Sequence, residues 1–201
     1  MSHHANQTTA SASAPPDLSN TALDQITLAG LDPRTPIAPH FQAYELSRSE
    51  IAARRGVANN FADDDQLRAA INLARRVLLP VREAFGAFSP NSVYRSQALE
   101  RALKNKPATW LSTSQHARGE ACDIEIAGLP TLELAAWARD HLADYDQIIC
   151  ECYDPCQGPN SGWVHISLKP PGRADNRRQC LSYVRDATCG RLVYVPGLQA
   201  A

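Results

Sequence analysis

The sequence predicts a compact α+β domain with helices packed on a mainly antiparallel sheet, and three observations carry that prediction. Helical periodicities and short alternating apolar runs interleave between residues 41 and 168, and Gly and Pro separate them at short intervals. The 201 residues, 44% of them hydrophobic, suffice for one substantial core. The expected organisation is an arm over residues 1–36, one domain over 37–170 and a Cys-containing extension over 171–201.

The arm is expected to be flexible or loosely docked, because it is rich in small polar residues and punctuated by Pro15, Pro16, Pro33 and Pro36. The fold is expected to begin near Phe41. Ser47 followed by Glu50 has capping-box spacing for a short helix that Gly56 ends. Leu67, Ile71, Ala74, Leu78, Val81 and Phe85 mark one face of a helix over 64–85, which Pro80 is expected to bend. Val93 and Tyr94 enter a short extended segment, Ser96 caps a helix carrying Leu99 and Leu103, and Pro107 stops it. Residues 121–126, 145–152 and 163–168 read as strands, with a helix over 132–142 between the first two. The run Leu192-Val193-Tyr194-Val195 is expected to add a hairpin to the sheet or to cover its edge.

Twenty basic residues against twenty-one acidic ones leave a formal net charge of -1, so nothing favours a nucleic-acid partner. The first twenty residues lack the apolar core and positive flank of a signal peptide, and no run reaches the roughly 20 apolar residues of a membrane span. A soluble chain made in the cytoplasm is the expectation. Six cysteines are present, at 122, 150, 152, 156, 180 and 189, and Cys180 with Cys189 is the readiest pair under oxidising conditions. The spacing of Cys150, Cys152 and Cys156 departs from the paired pattern of thiolate zinc sites, and His3 and His4 sit in the arm.

The chemistry concentrates in Ser114-Gln115-His116-Ala117-Arg118-Gly119-Glu120-Ala121-Cys122-Asp123 and in Gly162-Trp163-Val164-His165-Ile166-Ser167. Strand parity turns Asp123 away from Cys122 and Ile124, and His165 away from Val164 and Ile166. With His116 on the loop before the first strand, two imidazoles and a carboxylate can converge as a zinc site that keeps a fourth position open. On these residues alone, hydrogen-bonded surface His and Asp remain the competing reading.

The wider pattern adds Val93-Tyr94-Arg95-Ser96 and Asp146-Gln147-Ile148-Ile149-x-Glu151 to these two segments. Together with Ser47-Arg48-Ser49-Glu50-Ile51-Ala52, it resembles the M15 metallopeptidases, the group of D-alanyl-D-alanine carboxypeptidases and bacteriophage cell-wall endopeptidases, over about residues 41–168. The resemblance implies an M15/hedgehog-like fold and one zinc ion held by His116, Asp123 and His165. It makes Glu151 the candidate general base and gives Arg95 the role of binding substrate and compensating charge on the attacked carbonyl. Some members of the wider family place the acid-base residue three positions before the last histidine, where this chain has Gly162. Peptidoglycan stem peptides or crosslinks are the implied substrate, with a monomer acting at the cell wall or periplasm and a phage virion or lysis partner as its context. A noncatalytic wall-binding or virion structural protein on the same fold is the alternative. Trp163 is read either as a cleft residue or as core packing, and Gln115 as local support.

Overall fold

The computed structural model describes residues 14–186 and 190–199. His3, His4 and the Cys180–Cys189 pairing therefore involve positions outside the described residues. Five strands form the main sheet: β3 (Ala121–Ile124), β4 (Gln147–Glu151), β5 (Trp163–Ser167), β6 (Gln179–Arg185) and β7 (Leu192–Pro196). They run in the order β3-β5-β4-β6-β7, and a separate ribbon pairs β1 (Pro36–Ala38) with β2 (Phe41–Gln42). The expected antiparallel pairing holds throughout the main sheet except between β4 and β6, which run parallel.

Five α-helices accompany the sheet: α1 (Glu50–Arg55), α2 (Asp64–Leu73), α3 (Leu79–Phe85), α4 (Gln97–Lys104) and α5 (Thr131–His141). The side chain of Ser49, rather than Ser47, caps α1 by accepting from the Ala52 amide, and Gly56 closes it at φ 62°. The capping box falls seven residues upstream of Ser49, on Gln42 and Glu45. The helix expected over 64–85 is continuous but changes character. Between α2 and α3, residues Ala74–Leu78 form a π turn that ends just before Pro80. Proline lacks the amide that would continue the ladder and crowds the preceding turn, so the chain widens there. Ser96 caps α4 as expected, and Asn105 in the left-handed region ends it before Pro107.

One face of the sheet is apolar and packs against the helices. Cys122, Ile124, Ile148, Cys150, Val164 and Ile166 meet Leu67, Ile71, Ala74, Val77, Leu78 and Val81 in one buried cluster, which α5 completes with Leu134, Ala135 and Ala138. Fully burying a side chain of this kind contributes about 1.5–3 kcal/mol, so this face fixes the strand register. The opposite face carries Asp123, Gln147, Ile149, Glu151, Trp163 and His165 and opens into the cleft.

Two parts of the chain expected to lie outside the domain are built into it. Of the arm, residues 14–36 are described, and Ile26 is 1% exposed in the main core. The Arg75 guanidinium, on the π turn, donates to the carbonyls of Ile37, Thr21 and Leu18, which holds this stretch along the helix. The extension supplies β6 and β7, so the sheet continues through residue 170 without a break. Cys122, Cys150, Cys152, Cys156 and Cys180 are free thiols, and burial pushes Cys150 up to about 12. No helix among the described residues is long and apolar enough to cross a membrane.

Candidate metal centre

Register brings the predicted residues together. Asp123 on β3 lies directly across from His165 on β5, and His165 is directly across from Ile149 on β4. Directly opposed residues share a sheet face, and every second residue returns to it. Glu151, two positions beyond Ile149 and opposite Trp163, therefore stands on the same face as Asp123 and His165. His116 reaches them from a 3-10 turn, His116–Arg118, that Gly119 closes at φ 72°. Glycine is required at 119 because a Cβ there would lie 2.3 Å from the Gln66 carbonyl oxygen of α2.

The three atoms that could hold a metal ion form a near-equilateral triangle. His116 Nε2 lies 3.1 Å from Asp123 Oδ1 and 3.2 Å from His165 Nδ1, and His165 Nδ1 lies 3.1 Å from the same carboxylate oxygen. All three residues are buried, and theirs is the one cluster of potential metal ligands found among the described residues. A tetrahedral ion with ligands about 2.0–2.1 Å away separates them by about 3.3 Å, so the triangle has the right size.

Hydrogen bonds behind the triangle set the tautomers. His116 Nδ1 lies 2.7 Å from the Val93 carbonyl, which can only accept, so the proton sits there and Nε2 presents its lone pair. His165 Nε2 lies 3.1 Å from Gln115 Oε1, while the Gln115 amide nitrogen donates to Asp146 at 2.9 Å and to Ser167 Oγ at 2.8 Å. With the glutamine oriented that way, Nε2 of His165 carries the proton and Nδ1 faces inward bare. Burial holds the His116 ring below the usual imidazole range, and this favours the neutral form despite Asp123 nearby. Three acceptors thus face one another with no proton among them. A cation at the centre would relieve their mutual repulsion.

Asp123 is held well below the usual carboxylate range: burial opposes ionisation, and the Arg95 guanidinium is among the groups that outweigh it. Arg95 forms an ion pair with the other carboxylate oxygen, Oδ2, and its Nε donates to Ser92 Oγ at 2.8 Å. Its second amino group lies 3.9 Å from Glu100, a fully buried carboxylate. The segment carrying Arg95 is fixed by Asn59, which donates to the carbonyls of Ser47 and Tyr94 at 2.8 and 2.9 Å and accepts from the Ser96 amide at 2.6 Å.

Glu151 is raised above the usual carboxylate range, chiefly by burial and further by the Asp123 charge nearby. The alternative position, Gly162, has no room for a side chain: a Cβ there would lie 2.2 Å from the Glu151 carbonyl oxygen. Trp163 lines the cleft directly across from Glu151, and its buried indole N–H acts to lower that carboxylate. Two cavities of about 730 and 670 Å³ share Arg95, Asp123 and Trp163, while His116, His165 and Glu151 line the second, so the triad lies in that cavity with Asp123 at the border of the two.

Sequence reasoning missed Glu100, Asn59 and the linkage of Gln115 to Asp146. Asp146 is fully buried and accepts from Arg177 and Lys169 as well as from Gln115. The only local signal among these was the i,i+4 spacing of Glu100 and Lys104.

A sheet that presents two neutral imidazoles and an ionised carboxylate into an open groove, with a further carboxylate alongside, defines a metal-dependent hydrolase. Residues 39–167 match the family model described as peptidase M15. The chain belongs to that family and is a metallopeptidase. No curated protein and no solved structure matches the chain.

Proposed function

We propose that this protein is a zinc-dependent peptidase that hydrolyses amide bonds in peptidoglycan stem peptides or their crosslinks. The observation that carries this reading is the triangle of three unprotonated acceptors on His116, Asp123 and His165, with both tautomers set from behind. Two nitrogens, one oxygen and a groove at the fourth side suit zinc, which when bound acidifies water and polarises a carbonyl. Peptidoglycan follows from the family, and the groove supplies room for a peptide on both sides of the triad.

In this reading Glu151 takes the proton of the attacking water and delivers it to the leaving amine. Its burial strengthens it as a base, and a cation at the triad keeps it ionised at neutral pH. Arg95 steadies the Asp123 carboxylate through Oδ2 and faces both halves of the groove, where its charge offsets the negative charge that develops on the attacked carbonyl. Trp163 borders the scissile bond.

The test is mass spectrometry of purified peptidoglycan fragments after incubation with zinc-loaded protein, alongside metal analysis of each variant. The parent should release new stem-peptide products. Glu151→Gln should keep one metal per chain and lose turnover by about 10²–10⁴-fold. His116→Ala and His165→Ala should lose both metal and turnover. Undiminished turnover in Glu151→Gln would move the base elsewhere, and a zinc-loaded parent that cleaves no wall peptide would remove the reading.

A further inference from the structure

The family match ends at residue 167, but the metal groove does not. On β6, Leu181 is paired with Ile149 and Tyr183 with Glu151, so both extension residues share the face of His165. Tyr194 on β7 is opposite Tyr183, and their rings stack at 4.4 Å and 29°. Leu181, Tyr194 and Arg177 line the same 670 Å³ cavity as the metal triad and Glu151, facing Lys104 and Trp110 on the other side. Tyr194 leaves 58% of its surface exposed there and takes no part in the main core, so burial does not account for its ring.

The ion pairs around this cavity share one orientation. Lys104 pairs with Glu100, Arg118 with Glu120 and Arg177 with Asp146. The three basic side chains are 45%, 42% and 50% exposed, whereas their acidic partners are 0%, 5% and 0% exposed. Cationic ends thus line the cavity and the carboxylates lie behind them. The other half of the groove differs, since its Arg48–Glu50 pair leaves both side chains open to water, at 60% and 79% exposed.

We infer that the β6–β7 hairpin and the Lys104–Trp110 side together form a substrate subsite that takes the carboxylate-bearing half of an acidic peptide. Tyr194 packs against the peptide, and the half-exposed cations pair with its carboxylates. The inference rests on the peptidase reading and adds to it a direction for the substrate: the acidic half lies over the hairpin and the less acidic half beyond Arg95. Lys104 and Tyr194 are its specificity-determining residues. Tyr194 lies on the cavity rim outside the main core, and a glutamine at 104 keeps a side-chain donor within reach of the buried Glu100 carboxylate.

The test uses the full chain and two synthetic stem peptides that differ only in having free or amidated carboxylates. Zinc-loaded parent, Lys104→Gln and Tyr194→Ala are compared for kcat and KM on each, and calorimetry on the Glu151→Gln protein, alone and combined with each change, reads binding without turnover. The parent should favour the free carboxylates through KM, and Lys104→Gln should reduce that preference about fivefold. Tyr194→Ala should raise KM about tenfold for both peptides while kcat stays within about twofold. Equal KM for the two peptides in the parent, or variants indistinguishable from it, would overturn the subsite while leaving the peptidase reading in place. If the parent hydrolyses neither peptide, the peptidase reading fails, and calorimetry decides the subsite: carboxylate-dependent binding lost in Lys104→Gln upholds it, and its absence overturns it.

Discussion

His116 and His165 offer opposite ring nitrogens to the same point, Nε2 from one and Nδ1 from the other, because different groups stand behind them. A fixed backbone carbonyl, that of Val93, sets the first, and a side chain, Gln115, sets the second. The second arrangement can therefore be disturbed without touching a ligand. Gln115→Leu removes the acceptor for the His165 Nε2 proton, and metal affinity should fall about 10–100-fold, the usual cost of losing such a partner. Competition against a chromophoric chelator measures this; unchanged affinity in Gln115→Leu would mean that packing alone orients the ring. The triad was legible in the sequence because strand parity puts Asp123 and His165 on one face. Gln115 was not legible as the orienting group because its partners, Asp146 and His165, are 31 and 50 residues away and no local spacing announces them. Asn59 is hidden in the same way, since its bond to Tyr94 spans 35 residues.

Elements were legible where a period or a cap specifies them. The 64–85 stripe, the Ser96 cap and the strands β3, β4 and β5 follow from local spacing, and the structure keeps them. The parallel pairing of β6 with β4 has no such signature, because only the long connection after β5 returns the chain in that direction. The π turn was visible only as a proline out of place. Gly162, at the entry to β5, shows how closely two elements approach beside Glu151. Its φ is 69°, and a Cβ would press on the backbone of Glu151 and also lie 2.7 Å from the Tyr153 nitrogen. Gly162→Ala should therefore destabilise the fold by ~1–3 kcal/mol, since no flexible side-chain tip is available to move aside. A lower urea midpoint with an unchanged slope would register that loss. An unaltered midpoint would show that the β4–β5 connection relaxes freely, and would reopen position 162 to a side chain.

At the scale of the whole molecule, Asp146 links parts that the sequence seemed to separate. Its carboxylate receives Gln115 from the loop before β3, Lys169 from just beyond the family-matched region, and both the backbone amide and the guanidinium of Arg177 from the extension. The extension is thereby tied to the metal centre through one fully buried charge, besides the β4–β6 pairing. These partners outweigh the cost of burial and hold Asp146 down at about 2, against an ordinary value of 3.8. A carboxylate depressed in the folded state favours folding fully above its unfolded value, and the contribution disappears as pH falls through the folded one. The shift corresponds to about 2 kcal/mol near neutral pH, at about 1.4 kcal/mol per unit. Metal-free Asp146→Asn should accordingly be less stable than the metal-free parent by about that amount at neutral pH, with the gap closing between about pH 4 and about pH 2. Urea unfolding of the two metal-free proteins across that range tests this without interference from ligand protonation. Parallel stability curves would show that the carboxylate charge is not what joins the extension to the rest, whereas convergence in acid would identify Asp146 as the point where loop, sheet and extension are held together.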